Sequence, residues 1–397
     1  MKRQTNLFAQ LISEQNLLQA IDEVNRTHHW KAHHRPNRCT IWVERTKQER
    51  VRELREILSN GFDPKPYKIR KIYDTGAGKE RTIHEPAQYP DQYIHHALIQ
   101  VLQPVFMRGM DYYCCGSIKG RGTNRARKAI QSWVRNDPQN TRYELCCDIY
   151  HFYDSLTAET VMQRMRNLIK DGKILDLIER TIQGGIAIGA YTSQWFANTV
   201  LQELDMAIRQ SGLCKHYVRY MDNLTIFGTN KRKLHKLKRL IEQWLNAHNL
   251  KLKGDWQIFP VPQKTIPKSL SPPRKGVTRE KGRLPQAVGY RYGRTYTLPR
   301  KKTLLRLKRA LTKAQKRDNI DSHTAAGLLS RLGILRHCNN HSISTNLPRQ
   351  RKLTKKLKAI VKRWQKEMLK WNMYSETLAA EKSLESKVTA TQIIAGM

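Results

Sequence analysis

The stretch Tyr217–Phe227, YVRYMDNLTIF, constrains this chain more than any other. Two short runs rich in apolar, β-branched and aromatic residues flank a polar centre, Tyr220-Met221-Asp222-Asn223. That pattern predicts a hairpin with a carboxylate at its tip. Strands disfavour Asp, so an Asp kept there needs a reason, and binding a hard cation is the usual one. A lone Asp rarely holds Mg2+. The expected partner is Asp148, which ends a second apolar run, Leu145-Cys146-Cys147, ahead of a helical pattern.

A strand carrying Asp148 beside a hairpin carrying Asp222 is the arrangement a two-metal nucleotidyl polymerase uses. Two cations there clamp the attacking and leaving oxygens of a phosphoryl displacement. At these residues the chain resembles a known family. YMDN resembles the Y-x-D-D box of reverse transcriptases, and CDIYHFYDSL (Cys147–Leu156) their first palm motif. Ile188-Gly189-Ala190-Tyr191-Thr192-Ser193-Gln194 resembles the I-G-x-x-x-S-Q signature of the reverse transcriptases of diversity-generating retroelements and related defence-associated bacterial enzymes. The three motifs stand in the family order, and the resemblance runs from about Lys68 to about Tyr292.

The resemblance implies an α+β right-hand polymerase: fingers and palm with an antiparallel palm sheet backed by helices, then an all-α basic thumb. The expected divisions are a helical N-terminal extension over 1–60, fingers and palm over 61–299, thumb over 300–375 and a tail over 376–397. The implied activity is RNA-directed DNA synthesis with Mg2+, or alternatively Mn2+. Asp148, the Ile149 carbonyl and Asp222 would hold the metal, with Asn223 beside them. The implied partners are an RNA template (a cognate non-coding or template-repeat RNA), the cDNA product, dNTPs, and an accessory protein or a second reverse transcriptase.

Charge agrees with a nucleic-acid partner. The 397 residues carry a formal net charge of +40, and a polyanion is the usual counterpart of such an excess. A disordered or ribosomal-type basic chain fits poorly, because 39% of the residues are hydrophobic and periodic segments are plentiful. The longest apolar runs fall far short of a membrane span and no signal peptide opens the chain, so a cytoplasmic protein is expected. The seven cysteines lack C-x-x-C spacing, so neither a zinc site nor a disulfide framework is expected. His28, His29, His33, His34 and Cys39 would make an irregular ligand set, and a basic RNA-contacting loop is the preferred reading there.

Further along, YKIRKIYD, TGAG and KERTIHEP over Tyr67–Pro86 predict strand, turn and strand. Taken alone, Lys68, Arg70, Lys79 and Arg81 would be surface charges of a solvated hairpin. The resemblance makes it the fingers hairpin over the triphosphate, with Lys79 and Arg81 on phosphate. The glycines around Lys119 and Arg121 permit close backbone approach to a phosphate, and the family match puts Arg121 at the nucleotide. Tyr153, five residues after Asp148, takes the steric-gate position, where a ring beneath the sugar excludes a 2′-OH; the alternative is a core aromatic. Ser193 and Gln194 open an expected helix, Thr192–Leu204. Ile188 and Gly189 stand where many relatives have Gln-Gly, which in the resembled lineage goes with low fidelity at template adenines.

An amphipathic basic helix is expected over Asn230–His248. Either Lys251 or Lys253 could protonate the leaving pyrophosphate, or both could be surface lysines. Pro260–Pro285 reads as an exposed insertion. Gly289 and Tyr290 match the family's primer grip. Three basic helical segments, 301–311, 325–335 and 353–371, follow. The one departure is Asn223, where the family has a second Asp. An amide brings an oxygen but no charge, so a catalytically degenerate, RNA-binding scaffold is the second reading.

Overall fold

The structure is a computed structural model, and it describes residues 3–28, 37–74, 79–182, 185–263, 282–317, 319–339 and 352–367. The side chains of Asp74 and Lys79 lie outside what is described, as do His29, His33, His34, the turn at 75–78 and residues 264–281 of the expected insertion. The chain divides into two compact units, Met1–Thr295 and Tyr296–Met397.

The first unit is organised on a four-stranded antiparallel sheet. Strands β1 (Lys68–Asp74) and β2 (Lys79–Glu85) form a separate hairpin, with Ile72 opposite Arg81. The main sheet is built from β3 (Tyr143–Asp148), β4 (His216–Tyr220), β5 (Asn223–Gly228) and β6 (Gln257–Pro260), in the order β4-β5-β3-β6. The sequence reading missed β6. Its four residues end in a proline, too short a run to show alternation, yet it pairs with β3 from Tyr143 to Cys146. Past β6 the chain leaves the sheet at Pro260 and returns at Arg283, whose N–H donates to the Pro260 carbonyl at 2.9 Å.

Helices cover the sheet. Lys231–Ala247 buries Leu234, Leu237, Ile241 and Leu245, one stripe at helical spacing, and turns Lys231, Lys233 and Lys236 outward. Asn230 caps it, its side chain accepting from the Arg232 N–H at 2.7 Å. Asp91–Met107 is buried on every side from Asp91 to Ile99, which makes it the central helix of the core. The N-terminal helix Glu14–His28 packs along it, and Leu17, Ile21 and Val24 join the same hydrophobic core as the sheet. The expected helix Thr192–Leu204 is two helices, Tyr191–Val200 and Gln202–Gln210, broken at Leu201 where ψ of −1° departs from helical values. Strands β7 (Gln286–Ala287) and β8 (Tyr290–Tyr292) form a small hairpin.

The second unit opens with a three-residue strand, β9 (Thr297–Pro299), and is otherwise helical among its described residues. Helices Lys301–Gln315, Ser322–Leu332 and 352–367 gather Leu307, Leu311, Leu328, Leu353 and Leu357 into a core of their own. No described helix is long and apolar enough to cross a membrane. The architecture is the expected α+β fold, with an antiparallel sheet backed by helices and followed by a helical unit.

Candidate active site

Antiparallel pairing brings the two carboxylates to one end of the sheet. β3 and β5 run in register from Tyr143 opposite Gly228 to Asp148 opposite Asn223. β4 and β5 pair up to Tyr220 opposite Asn223, leaving Met221 and Asp222 as a two-residue loop. Met221 takes a positive φ of 58°, as the first central residue of such tight hairpins does. The Ile149 N–H donates to the Asp222 carbonyl at 3.2 Å, so the strand that carries one carboxylate also ties down the other. Residues 251–253 run beside them. Tyr150 N–H donates to the Lys251 carbonyl and Lys253 N–H to the Asp148 carbonyl, both at 2.8 Å.

Burial and like charge oppose ionisation here. Burial first, then the charge of Asp222, push the Asp148 carboxyl up from 3.8 to about 7. Asp148 Oδ1 is buried with no hydrogen-bond partner. Ionised, two carboxylates offer only acceptors, so neither can satisfy the other without a proton or a cation. Lys253 supplies partial compensation: its Nζ is 3.8 Å from Asp148 Oδ2 and 2.8 Å from Asp255 Oδ2. Of the two lysines left open by the sequence, Lys253 is therefore the one whose ammonium lies beside the carboxylates. Asn223 Nδ2 donates to Asp222 Oδ1 at 3.0 Å. Tyr153 sits close by, half-buried in the short helix Phe152–Ser155. Burial and then the Asp222 charge raise its phenol well above the usual tyrosine range.

A short strand ending in Asp148, facing a tight hairpin tipped by Asp222 and backed by an amphipathic helix, lies within residues that match a known family. Residues 70–255 match the model of the family described as reverse transcriptase (RNA-dependent DNA polymerase). Among curated proteins none matches the sequence significantly. Solved structures with a similar course include the apo telomerase of Candida tropicalis truncated from its C-terminal domain. It has 12% identity and a TM-score of 0.41, over 61% of this chain and 58% of that one. Another is the telomerase of Candida albicans in complex with a TWJ fragment of telomeric RNA, at 11% identity and a TM-score of 0.43, over 81% of this chain and 60% of that one. The chain thus spans about three fifths of the length of these telomerases. Likeness at this level carries no argument about function.

The other residues singled out from the sequence lie on the β1–β2 hairpin, on the loops at 121 and 188–189, on helix Tyr191–Val200 and on the β7–β8 hairpin. Lys79 opens β2 opposite Asp74, and Arg81 lies half-buried two residues on. Arg70 is held by Glu85 at 2.7 Å. Arg121 turns its guanidinium onto its own loop, Nη1 donating to the Asp111 carbonyl at 2.5 Å and the Cys114 carbonyl at 3.1 Å. The Ile188 carbonyl accepts from the His84 N–H at 2.7 Å, which ties the segment to β2. Gly189 has φ +126°, and a Cβ there would lie 2.5 Å from the His84 carbonyl, so only glycine permits that approach. Ser193 is buried in helix Tyr191–Val200 while its neighbour Gln194 is exposed. Gly289 (φ +91°) forms the β7–β8 turn, and the Tyr290 side chain is buried behind it. Among the described residues no three His, Cys, Asp or Glu side chains gather as a metal cluster. The cation-binding candidates are thus the two carboxylates and neighbouring carbonyls.

Proposed function

We propose that the chain is an RNA-directed DNA polymerase whose Asp148 and Asp222 hold divalent cations, Mg2+ or Mn2+, with help from the Ile149 carbonyl. The observation that carries this reading is the pairing of β3 with β5. It sets a buried, partnerless carboxylate oxygen of Asp148 beside the hairpin that carries Asp222. When bound, the cations supply charge stabilisation at the attacking and leaving oxygens of the displacement. The chain's own residues do the rest. The Asp222 turn is fixed by the Ile149 N–H. Lys253 presents an ammonium at the edge of the carboxylate pair, in reach of a leaving group that needs a proton. Tyr153 places a ring next to Asp222, where the sugar of an incoming nucleotide would rest. Lys79, Arg81, Arg121, Ser193 and Gln194 surround the nucleotide path in this reading, with Gly289 and Tyr290 on the primer and the second unit as thumb.

We assign the enzyme to the lineage of diversity-generating retroelements and their defence-associated bacterial relatives. Ile188-Gly189 ahead of Ser193-Gln194 supports that assignment, and Asn223 favours a divergent defence enzyme over a diversifying one. Its template is then a cognate structured RNA, and sequencing the RNA that co-purifies with the protein identifies it. Primer extension by purified Asp148→Asn and Asp222→Asn tests the metal assignment. Each should abolish incorporation and leave RNA binding unchanged, and activity retained by either sinks it. The scaffold reading predicts no extension by the wild type with any cation, template or primer.

A further inference from the structure

Beneath the Met221–Asp222 turn lies a polar lattice that the site so far described does not use. Arg219 is fully buried, at 0% exposure, in the strand that leads into the turn, and Asp205 at 1% faces it from helix Gln202–Gln210. All five guanidinium N–H groups have acceptors. Nε and Nη2 grip Asp205 Oδ1 and Oδ2 at 2.8 and 2.7 Å. Nη1 reaches Asn198 Oδ1 at 2.9 Å and the Met221 carbonyl at 3.1 Å, and Nη2 also reaches the Asn198 carbonyl at 3.3 Å. A buried guanidinium satisfied at every donor has no alternative arrangement close in energy. The Met221 carbonyl it holds belongs to the residue immediately before Asp222.

Asn198 extends the lattice to the other side of the turn. Its Nδ2 donates to the Gly116 carbonyl at 2.9 Å and lies 3.6 Å from Met221 Sδ. Gly116 itself is pressed against the turn, and a Cβ on it would stand 2.6 Å from the Met221 nitrogen. The backbone of the same segment pairs with the strand: Cys115 N–H donates to the Arg219 carbonyl at 2.8 Å and Arg219 N–H to the Tyr113 carbonyl at 3.1 Å. Met221 is non-glycine at positive φ, a conformation that persists only where its surroundings over-determine it. Here the surroundings are Arg219 below, Gly116 beside and Asn198 bridging the two.

We infer that the buried Arg219–Asp205 pair, with Asn198 as its link to Gly116, is the positioning device that fixes the Met221–Asp222 turn against the Asp148 strand. The inference rests on the polymerase reading for its kinetic consequence, but not for its structural one. Arg219 and Asn198 touch no substrate. They set where Asp222 stands, and a misplacement of about 1 Å at such a group can cost on the order of a hundredfold in rate.

The test uses the full chain and three variants. Asn198→Ala removes the bridge and leaves the ion pair. Arg219→Lys keeps the charge beside Asp205 but cannot also reach Asn198 and the Met221 carbonyl. Arg164→Met is the control. It breaks a comparable part-buried pair, Arg164 with Glu203, whose further hydrogen bonds among the described residues go to the Thr199 carbonyl and Gln202 Oε1 and not to the turn. Amide hydrogen exchange on the free proteins should show faster exchange at Met221–Asn223 and at Gly116–Ser117 in Asn198→Ala and Arg219→Lys. In Arg164→Met it should be unchanged there. In primer extension the first two should lose roughly ten- to a hundredfold in kcat, with KM for dNTP and RNA affinity held and a higher Mg2+ requirement. The control should lower only the melting temperature. Unchanged protection at Met221–Asn223 in Asn198→Ala overturns the inference, as does a control that reproduces the loss of kcat. A wild type that extends no primer would defeat the polymerase reading instead, and the exchange comparison would still decide the positioning role.

Discussion

At the scale of single residues the site is a problem in charge. Asp148 is pushed up to about 7 by burial and by Asp222, so between its unfolded value of 3.8 and about 7 the folded protein binds a proton that the unfolded chain has already lost. Stability contributed by that proton is present at low pH and is lost as pH rises through this window. Metal-free protein should therefore melt at a lower temperature at pH 8 than at pH 5 as far as this group is concerned. Asp148→Asn should flatten that dependence. Mg2+ should raise the melting temperature more at pH 8, where it meets two free carboxylates, than at pH 5, where it competes with a proton; equal shifts at both would count against a cation site on Asp148. Asn223 is the second residue-scale question. Its amide donates to Asp222 and it stands cross-strand from Asp148. Asn223→Asp removes the donor and sets a third carboxylate opposite the first, where like charges cost about 0.2–1 kcal/mol. The expected result is unchanged or reduced incorporation at low Mg2+, with a melting temperature that recovers on adding the cation. Raised incorporation at low Mg2+ would mean that the wild type is a weakened ordinary polymerase, and activity only in the variant would support the scaffold reading.

At the scale of elements, the sequence revealed what periodicity encodes and concealed what depends on remote pairing. That Asp148 and Asp222 lie together was expected because one Asp rarely holds a hard cation alone and because both end runs that resemble the family's palm motifs; the hairpin pattern by itself placed only Asp222. The helix Lys231–Ala247 was legible from its leucine spacing. Strand β6 was not, since four residues ending in Pro260 show no alternation. Arg219 was invisible as a buried group. A strand run read for its apolar face gives no sign that its one guanidinium is turned inward to meet an Asp 14 residues earlier in the chain. The break at Leu201 was equally hidden, because the apolar spacing continues across it. Tyr153 sits on the short helix that follows Asp148, and its test belongs at this scale. Tyr153→Ala should let the enzyme incorporate ribonucleotides, read as a fall of about tenfold or more in the ratio of dNTP to rNTP efficiency, a few kcal/mol being within reach of one steric contact. Equal discrimination by variant and wild type would leave the ring a packing group only.

For the whole molecule the governing quantity is the net charge of +40. The described lysines and arginines of helix Lys231–Ala247 and of helices Lys301–Gln315, Ser322–Leu332 and 352–367 lie mostly on exposed positions, while Leu234, Leu237, Leu245, Leu307, Leu311, Leu328 and Leu357 turn inward. Binding to RNA should then release many counterions. If six to ten phosphates are neutralised, affinity should fall by about a thousandfold or more between 50 and 200 mM salt. Filter binding or fluorescence anisotropy across that range measures it, and a flat dependence would contradict an electrostatic interface. The same measurement on Asp148→Asn should give the same slope, because the carboxylate pair is not part of that surface.

The backbone bond that closes the excursion after β6 has a practical consequence. Because the Arg283 N–H returns to the Pro260 carbonyl, the sheet needs only that the two ends meet, and the length of what joins them matters little. Doubling a loop adds only about 0.6 kcal/mol of closure entropy. The stretch 264–281 is therefore the natural place to graft a fluorescent or affinity module. A probe joined there would be anchored at Gln263 and Gly282, the described residues on either side.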